Sequence, residues 1–531
     1  MASTIKARFQ ADDGQRAAIL ERARLCARLT KPWVLPPLGQ PATGRLPDNY
    51  QSDGSRGVTN LSGKMLLALF PPGEPFARLT PIPEVQYDPR VDARLMQHLL
   101  DDLSMRDAQI QAQIESCTLD GKSRQRATFR SRKRAAIEQL LITGDVLEQF
   151  TDDYRLKVFR RDRYVTKRDS CGDVLYHIIR ETVDPLALTP RQRELAQFKE
   201  GFEGKPVCER MQDLYTLVEW NPLTRVWVIT QEVNDHAVNE SQEEVTPFFS
   251  TPFDLVDGED SGRGFIEANL GDLGSLDELC RRLLDFAEMS SKMYPFIDGS
   301  SQLREQDFEK PTGSVMRGSV RGGQVDDVAF LKVDKLGDFN VCYQSTERIG
   351  KKIGAVMLME SETAPQGEAG RHAYAWQTVV GELNGALGGL YAPIADEQQV
   401  PLLRRVYYQM ERDLKFTSRL PKQLVNISAL TGFAAVSRSM DAQKIEKIAA
   451  VAAQLVPPGS GANPIDAGVA IEELVRLYNV RAPGLVKSPE QLQAETQQAI
   501  AAQTQLAGAQ KALDTAGNIV QSAATQGQSN G

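Results

Sequence analysis

Apolar residues return every three or four positions along most of the first third of the chain. Over 16–29, Ile19, Leu20, Ala23 and Cys26 fall on one helical face. Pro32 ends that run, and Trp33-Val34-Leu35-Pro36-Pro37 cannot restart it. Val58, Leu61, Met65 and Leu69 predict a second helix over 58–70, stopped by Pro71-Pro72-Gly73. Two longer helical stretches follow, over 89–117 and 123–143. Asp88 ahead of Pro89 is a capping side chain before a proline at the opening position.

The pattern changes at Val146. Segments 146–150, 164–166, 174–179, 214–220 and 226–233 are short, rich in β-branched and aromatic residues, and bounded by Asp, Gly, Asn and Pro. They predict an antiparallel β section to about Phe253, interrupted by one helix near 190–200. Helical spacing returns after Gly264, where Ile266, Leu270, Leu273, Leu276, Cys280, Leu283 and Ala287 form a stripe reaching Met293, broken by Pro295. Residues 295–335 are polar and glycine-punctuated and read as a small β-containing insert. A helix over 339–359 and a polar loop over 360–372 come next. A helical stretch over 374–414 contains Gly385, Gly388, Gly389, Pro393 and Pro401, so it must kink.

The last stretch, 488–531, is rich in Ala and Gln. Its composition fits a disordered tail. Against that, Leu492, Ala499, Leu506, Leu513 and Val520 recur at sevens, and Ala502, Ala509, Ala516 and Ala523 sit three beyond successive members. This is an a/d pattern that buries little area per copy, so such a helix needs neighbours.

Composition narrows the class. The chain has 531 residues, more than one core serves, with 41% hydrophobic and 25% charged residues and a net charge of −8. An acidic chain is not built to grip duplex DNA by displacing counterions, but it suits a surface past which DNA slides. The six cysteines (Cys26, Cys117, Cys171, Cys208, Cys280, Cys342) and four histidines are scattered with no Cys-x-x-Cys pair, which predicts mostly buried, reduced thiols and no zinc site. The opening lacks an apolar signal core, and no stretch approaches the roughly 18 apolar residues a membrane helix needs.

Few motifs carry chemistry. Gly121-Lys122-Ser123 resembles the end of a nucleotide-binding loop, but Ser116 stands where that loop needs its first glycine. The acidic pairs Asp152-Asp153 and Asp326-Asp327 lie in turn-rich sequence, where solvated acids are commoner than Mg²⁺ ligands. Lys122, Arg124, Arg126, Arg130, Arg132, Lys133 and Arg134 form a basic run without an acid among them. It reads as a nucleic-acid patch, or as a solvated helix face or a contact with acidic protein neighbours. Gly318-Ser319-Val320-Arg321-Gly322-Gly323 reads as a turn, not a phosphate cradle. No catalytic residue, metal or cofactor is expected.

Four sets of segments stand out together. They are Arg56-Gly57-Val58-Thr59-Asn60-Leu61 with Leu66-Leu67-Ala68-Leu69-Phe70-Pro71; Gly258-Glu259 with Gly262-Arg263 and Leu270-Gly271-Asp272-Leu273; Asp327-Val328-Ala329-Phe330-Leu331; and Leu387-Gly388-Gly389-Leu390-Tyr391. In this order, over most of residues 10–480, they resemble the portal, or head-tail connector, proteins of short-tailed podoviruses of the T-seven type. The resemblance implies an α+β, mainly helical portal fold with wing, stem, clip and crown regions around a ring channel, as a dodecamer at one capsid vertex.

Segment by segment, it implies a wing over 1–263, stem helices over 264–294 and 336–359, and a clip over 295–335. A channel loop over 360–372, a kinked wing helix and return over 373–487, and a crown helix with loose tail over 488–531 complete the plan. Within the channel loop it singles out Glu360, Glu362, Gln366, Gly367, Glu368, Arg371 and His372. Nearby Lys351 and Lys352 are candidate DNA contacts, or equally contacts to stem neighbours. Here Gly367-Glu368 is followed by Ala369-Gly370 where relatives carry a helix-capping Thr, so the loop's geometry departs from the pattern.

The implied role is packaging and later ejection of double-stranded DNA in the virion, after assembly in the host cytoplasm. The implied partners are further copies of the chain, double-stranded DNA, major capsid and scaffold proteins, terminase, the tail adaptor and internal core proteins, with no membrane. The rival readings are another virion component, such as a scaffold or internal core protein, and a nucleic-acid-processing enzyme.

Overall fold

The change of pattern near residue 146 divides a helical part from two antiparallel sheets. The computed structural model describes residues 4–40, 43–70, 77–82, 93–116, 128–198, 206–291, 295–297, 336–359, 391–416 and 425–429, with Gly204 and short pieces within 304–330 and 381–389. All belong to the first of two compact units, Met1–Phe433; the second is Ala434–Gly531. The heptad run over 488–531, the loop over 360–372 and the 374–380 part of the expected long helix lie outside the described residues.

The helical part opens with α1 (Ile5–Gln15), α2 (Ala17–Leu29) and α3 (Asp53–Leu69). Strand β1 (Ala77–Pro81), α4 (Ala93–Ser116) and α5 (Phe129–Thr143) follow. The periodicity missed α1 because only Ile5 and Phe9 anchor it, packed against Val165, Ile178 and Tyr215. Its free N–H groups are satisfied instead by polar caps. Thr4 accepts from Ala7, and Glu232 accepts from Ile5 at 2.8 Å and Lys6 at 3.2 Å. Helix α3 begins ahead of the expected residue 58, taking Gly54 and Gly57 inside it. The described part of α5 opens at Phe129 under a Thr128 cap and closes at Gly144 in the left-handed region (φ 78°).

The first sheet orders β3 (Leu156–Phe159), β2 (Asp145–Phe150) and β9 (Phe248–Pro252). The second runs in sequence order through β4 (Tyr164–Arg168), β5 (Val174–Val183), β6 (Gln212–Asn221), β7 (Val226–Val233) and β8 (His236–Glu243). Each expected strand is present, and β3, β8 and β9 are additional. Helix α6 (Pro190–Leu195) carries a full capping box between Thr189 and Gln192, and a single turn, α7 (Val207–Arg210), precedes β6. Alternation along β2 joins two cores: Val146 and Phe150 face the helical core with Leu140 and Leu403, while Leu147 packs with Phe159, Tyr164 and Ile179.

After the sheets come α8 (Phe265–Ala268) and α9 (Leu270–Ser291). The insert holds β10 (Pro295–Ile297), β11 (Val320–Arg321), β12 (Gln324–Val325) and β13 (Val328–Phe330), paired as two small antiparallel ribbons. Arg321 pairs with Gln324 and Val320 with Val325. Then follow α10 (Leu336–Val356), α11 (Tyr391–Arg412) with Pro401 inside it, and β14 (Val425–Ala429), which pairs with β1.

Candidate functional site at the root of a helical pair

Helices α9 and α10 lie against each other as a pair. The Phe286 and Phe339 rings sit 5.3 Å apart, and toward the root Lys352 Nζ meets Asp272 at 2.7 Å. Helix α3 seats this root through a face of small residues. A Cβ on Gly54 would come 2.5 Å from the Leu29 carbonyl oxygen and 3.3 Å from Leu273 Cδ2, and one on Gly57 would overlap Met357 Sδ. The two glycines are three apart, on one side of α3, and let three helices approach it.

The same helix caps the end of α10. Asn60 Nδ2 donates to the carbonyls of Met357 (3.1 Å) and Leu358 (2.7 Å), and Lys64 Nζ donates to Leu358 at 3.1 Å. Last-turn carbonyls lack partners within a helix and carry its negative pole, so an amide and an ammonium are the groups that suit them. The backbone closes around them: Leu358 sits in the left-handed region (φ 54°), and the Met359 N–H reaches back to Gly354 at 2.8 Å. The segment Arg56-Gly57-Val58-Thr59-Asn60 is therefore the seat of α10.

The Gly258-Glu259…Gly262-Arg263 segment has an equally structural reason. Gly144, Gly262 and Gly264 interlock so tightly that a Cβ on Gly262 would stand 2.8 Å from the Phe253 nitrogen and one on Gly264 2.9 Å from the Leu141 carbonyl. Arg263 then bridges Glu259 (2.7 Å) and Glu267 (3.0 Å), fixing the entry into α8 and α9. Asp260 accepts from Lys167 Nζ and from the Arg168 N–H, which ties this segment to β4.

Away from the root, few of the described residues cover the helical pair. From Asp277 to Met289 on α9, and before Ile353 on α10, no described residue is buried. Several large apolar side chains here stand more than half exposed among the described residues: Leu284 is 57% exposed, Met289 58%, Val341 63% and Tyr343 55%.

The sequence-derived candidates fare unevenly. Lys351 pairs with Glu347 one turn earlier (2.7 Å), and Lys352 with Asp272, so both lysines engage carboxylates of the helical pair. Glu360, Glu362, Gln366, Gly367, Glu368, Arg371 and His372 lie outside the described residues. In the basic run, Lys133 is fully buried against Glu148 at 2.6 Å, between the Phe70 and Phe249 rings; burial pushes its pKa down and Glu148 opposes that. Arg130 donates to the Phe70 carbonyl and Arg134 to Glu138. Asp152 pairs with Arg412 and with buried Arg405, and its hydrogen bond holds the Arg412 guanidinium above its ordinary value. The expectation of mostly buried thiols is corrected: of the described cysteines Cys26 alone is buried, its thiol pushed up to about 12 by desolvation, while Cys171 and Cys208 are exposed in a hairpin turn and a one-turn helix. No helix among the described residues is long and apolar enough to cross a membrane.

Periodicity could not find Gly54, Gly57, Asn60 and Lys64 as a working set, since their partners lie up to 298 residues away. The one signal was two glycines at helical spacing ahead of a clean apolar stripe.

Comparison with known proteins gives concordant matches. A family described as bacteriophage head to tail connecting protein matches residues 2–486. The portal protein of Escherichia phage T7 is 28% identical over 83% of this chain and 80% of its own length. That of Enterobacteria phage T3 is 28% identical over 92% and 89%. Among solved structures, a chain from the neck of the native GTA particle aligns at 10% identity and a TM-score of 0.32, covering 80% of this chain and 89% of its own.

Proposed function

We infer a portal role from the fact that this chain belongs to the bacteriophage head to tail connecting protein family. Copies of the chain assemble into a ring, a dodecamer, at one capsid vertex, and double-stranded DNA passes through its channel during packaging and ejection. The role is structural: the ring serves as docking site first for terminase and then for the tail adaptor, beside the major capsid, scaffold and internal core proteins. In this reading 1–263 and 373–487 are wing, α9 and α10 are stem helices, 295–335 is clip, 360–372 is channel loop and 488–531 is crown. Lys352 links the two stem helices through Asp272, while Lys351 pairs with Glu347 within α10, and both reach DNA only secondarily.

One structural observation supports this reading: Leu284, Met289, Val341 and Tyr343 of the helical pair are large, apolar and more than half exposed among the described residues. In a ring, neighbouring copies supply that burial. The net charge of −8 per copy fits a lumen that repels phosphates and lets DNA slide. Negative-stain images of the purified full-length chain test the proposal. Rings with a central hole are expected; monomers or filaments overturn it.

A further inference from the structure

A pair of oppositely charged faces extends this reading. Helix α2 and the two residues after it carry Arg22, Arg24, Arg28 and Lys31, and α5 carries Arg130, Arg132, Lys133 and Arg134. Against these eight cations the same stretches hold two carboxylates, Glu21 and Glu138. That is a local excess of six on a chain whose net charge is −8.

Part of the excess is absorbed within the fold. Lys133 takes Glu148; Lys31 and Arg134 share the single carboxylate of Glu138 at 2.8 and 3.2 Å; Arg22 reaches Glu267 and Arg130 reaches Glu115. Arg24, Arg28 and Arg132 form no ion pair among the described residues, and Arg28 and Arg132 are exposed. Arg24 and Arg28 are one turn apart on α2, Arg130, Arg134 and Glu138 recur at helical spacing on α5, and Lys31, just past the end of α2, links the two through Glu138. Leu25, 39% exposed, stands between Arg24 and Arg28.

The complementary face lies elsewhere on the chain. Six exposed carboxylates, Asp169 and Asp173 in the β4–β5 hairpin, Asp254 and Asp257 after β9, and Asp396 and Glu397 on α11, form no ion pair among the described residues. Their segments converge. A Cβ on Gly172 would lie 3.2 Å from Leu255 Cδ2, and Arg168, which donates to the Gly172 carbonyl at 2.9 Å, acts electrostatically on Glu397. Asp169 is held in place by accepting the N–H groups of Cys171 and Asp173. Val256, 40% exposed, gives this face an apolar element to match Leu25.

We propose that the arginine ridge of α2 and α5 on one copy docks on this acidic face of the next copy. The proposal rests on the ring assembly inferred above. Contact between two different faces is heterologous, so it propagates from copy to copy and makes a ring when the rotation between copies closes, whereas a self-matching face stops at a pair. Arginine favours this use because its planar fork binds carboxylates in two-point geometry. Duplex DNA fits the ridge less well. Arg24 to Arg28 spans only about 6 Å of helix, with Glu21 and Glu138 beside it, whereas DNA affinity grows with the number of phosphates neutralised.

Charge reversal tests the pairing on the full-length chain. Arg28→Glu/Arg132→Glu, Asp173→Arg/Asp257→Arg and the combination of all four are compared with wild type by analytical ultracentrifugation and negative stain. Each reversed pair is expected to raise the concentration for half-assembly by about tenfold, and the quadruple variant to recover it. All four sites are exposed, and a thermal melt checks folding. If a reversed pair fails to melt cooperatively, Arg28→Gln/Arg132→Gln and Asp173→Asn/Asp257→Asn carry the same comparison, with an expected rise of about threefold. Assembly indifferent to the substitutions, or lost without recovery in the quadruple variant, overturns the proposal. So do intact rings that lose salt-dependent retention on immobilised duplex DNA, which would assign the ridge to DNA. A wild-type chain that stays monomeric overturns the ring reading as well; rings that ignore the reversals overturn this one alone.

Discussion

The side-chain amide of Asn60 on α3 donates at 2.7 Å to the carbonyl of Leu358, the residue at which the backbone turns out of α10. The same amide reaches Met357, so one side chain satisfies two carbonyls that the helix leaves unpaired. Asn60→Ala should cost about 1–3 kcal/mol, the loss of a donor to partly buried acceptors. Asn60→Asp should cost more, since it sets a carboxylate against two carbonyl oxygens. Hydrogen exchange checks both: the amides of 353–359 should exchange faster in the order wild type, Ala, Asp, with the sheets unchanged.

Two glycines of α3 should respond to alanine with opposite signs. At Gly57 a Cβ overlaps Met357 Sδ, so Gly57→Ala must push α3 and α10 apart, at about 1–3 kcal/mol. At Gly63 nothing lies within 4 Å of a Cβ, so Gly63→Ala should gain about 0.5–1 kcal/mol from the stiffer unfolded chain. Melting temperatures of the two variants should therefore move in opposite directions. Equal shifts would remove the close-approach account of the Arg56-Gly57-Val58 segment.

His177 makes acid stability a local question. It is fully buried on β5 with Nδ1 3.0 Å from Thr166 Oγ1, and burial, aided by the Arg168 charge, lowers its pKa from 6.5 to about 3. Between those values the unfolded chain binds a proton that the folded chain does not, so stability rises with pH across that window and is flat above it. Acidification from pH 7 to pH 4 should cost wild type about 3 kcal/mol through this group alone. His177→Gln should lack that component, so its melting temperature should fall less steeply than that of wild type below pH 6.5.

Lys133 and Glu148 form a fully buried ion pair. Removing one partner, as in Glu148→Gln, strands the other charge and should cost about 3–5 kcal/mol. Lys133→Met/Glu148→Leu removes both and should be much closer to neutral. Thermal melts of the single and double variants at pH 7 give the comparison.

The elements that periodicity revealed are those whose burial is local and one-sided. Leu273 and Leu276 on α9 are buried as their stripe requires, and Val146, Leu147 and Phe150 sit in the cores that their strand pattern implied. What stayed hidden depends on partners far along the chain. Helix α1 is held by Glu232 and two apolar contacts, too few to make a period. Gly54 and Gly57 look like helix breakers until α2, α9 and α10 are seen against them. Of the basic run, Lys122, Arg124 and Arg126 lie outside the described residues, and the described members divide into a buried lysine, two tied arginines and an exposed Arg132, a distinction set by the helix face each residue occupies.

The exposed stripe of the helical pair gives the most discriminating variant. Leu284 and Val341 are more than half exposed, so their apolar atoms contribute little to the fold of one copy. Replacing either by Glu should leave the melting temperature of the isolated chain within about 1 °C, since surface substitutions away from specific contacts are usually worth under about 0.5 kcal/mol. In an assembly that buries these side chains, the same change places a carboxylate in an apolar contact, at a cost of several kcal/mol per interface. Leu284→Glu and Val341→Glu should therefore sediment as folded monomers where wild type sediments as rings. A conservative control, Val341→Ile, keeps the apolar surface and should keep the rings. If both Glu variants assemble like wild type, the helical pair is not where copies meet, and the exposed stripe needs another partner.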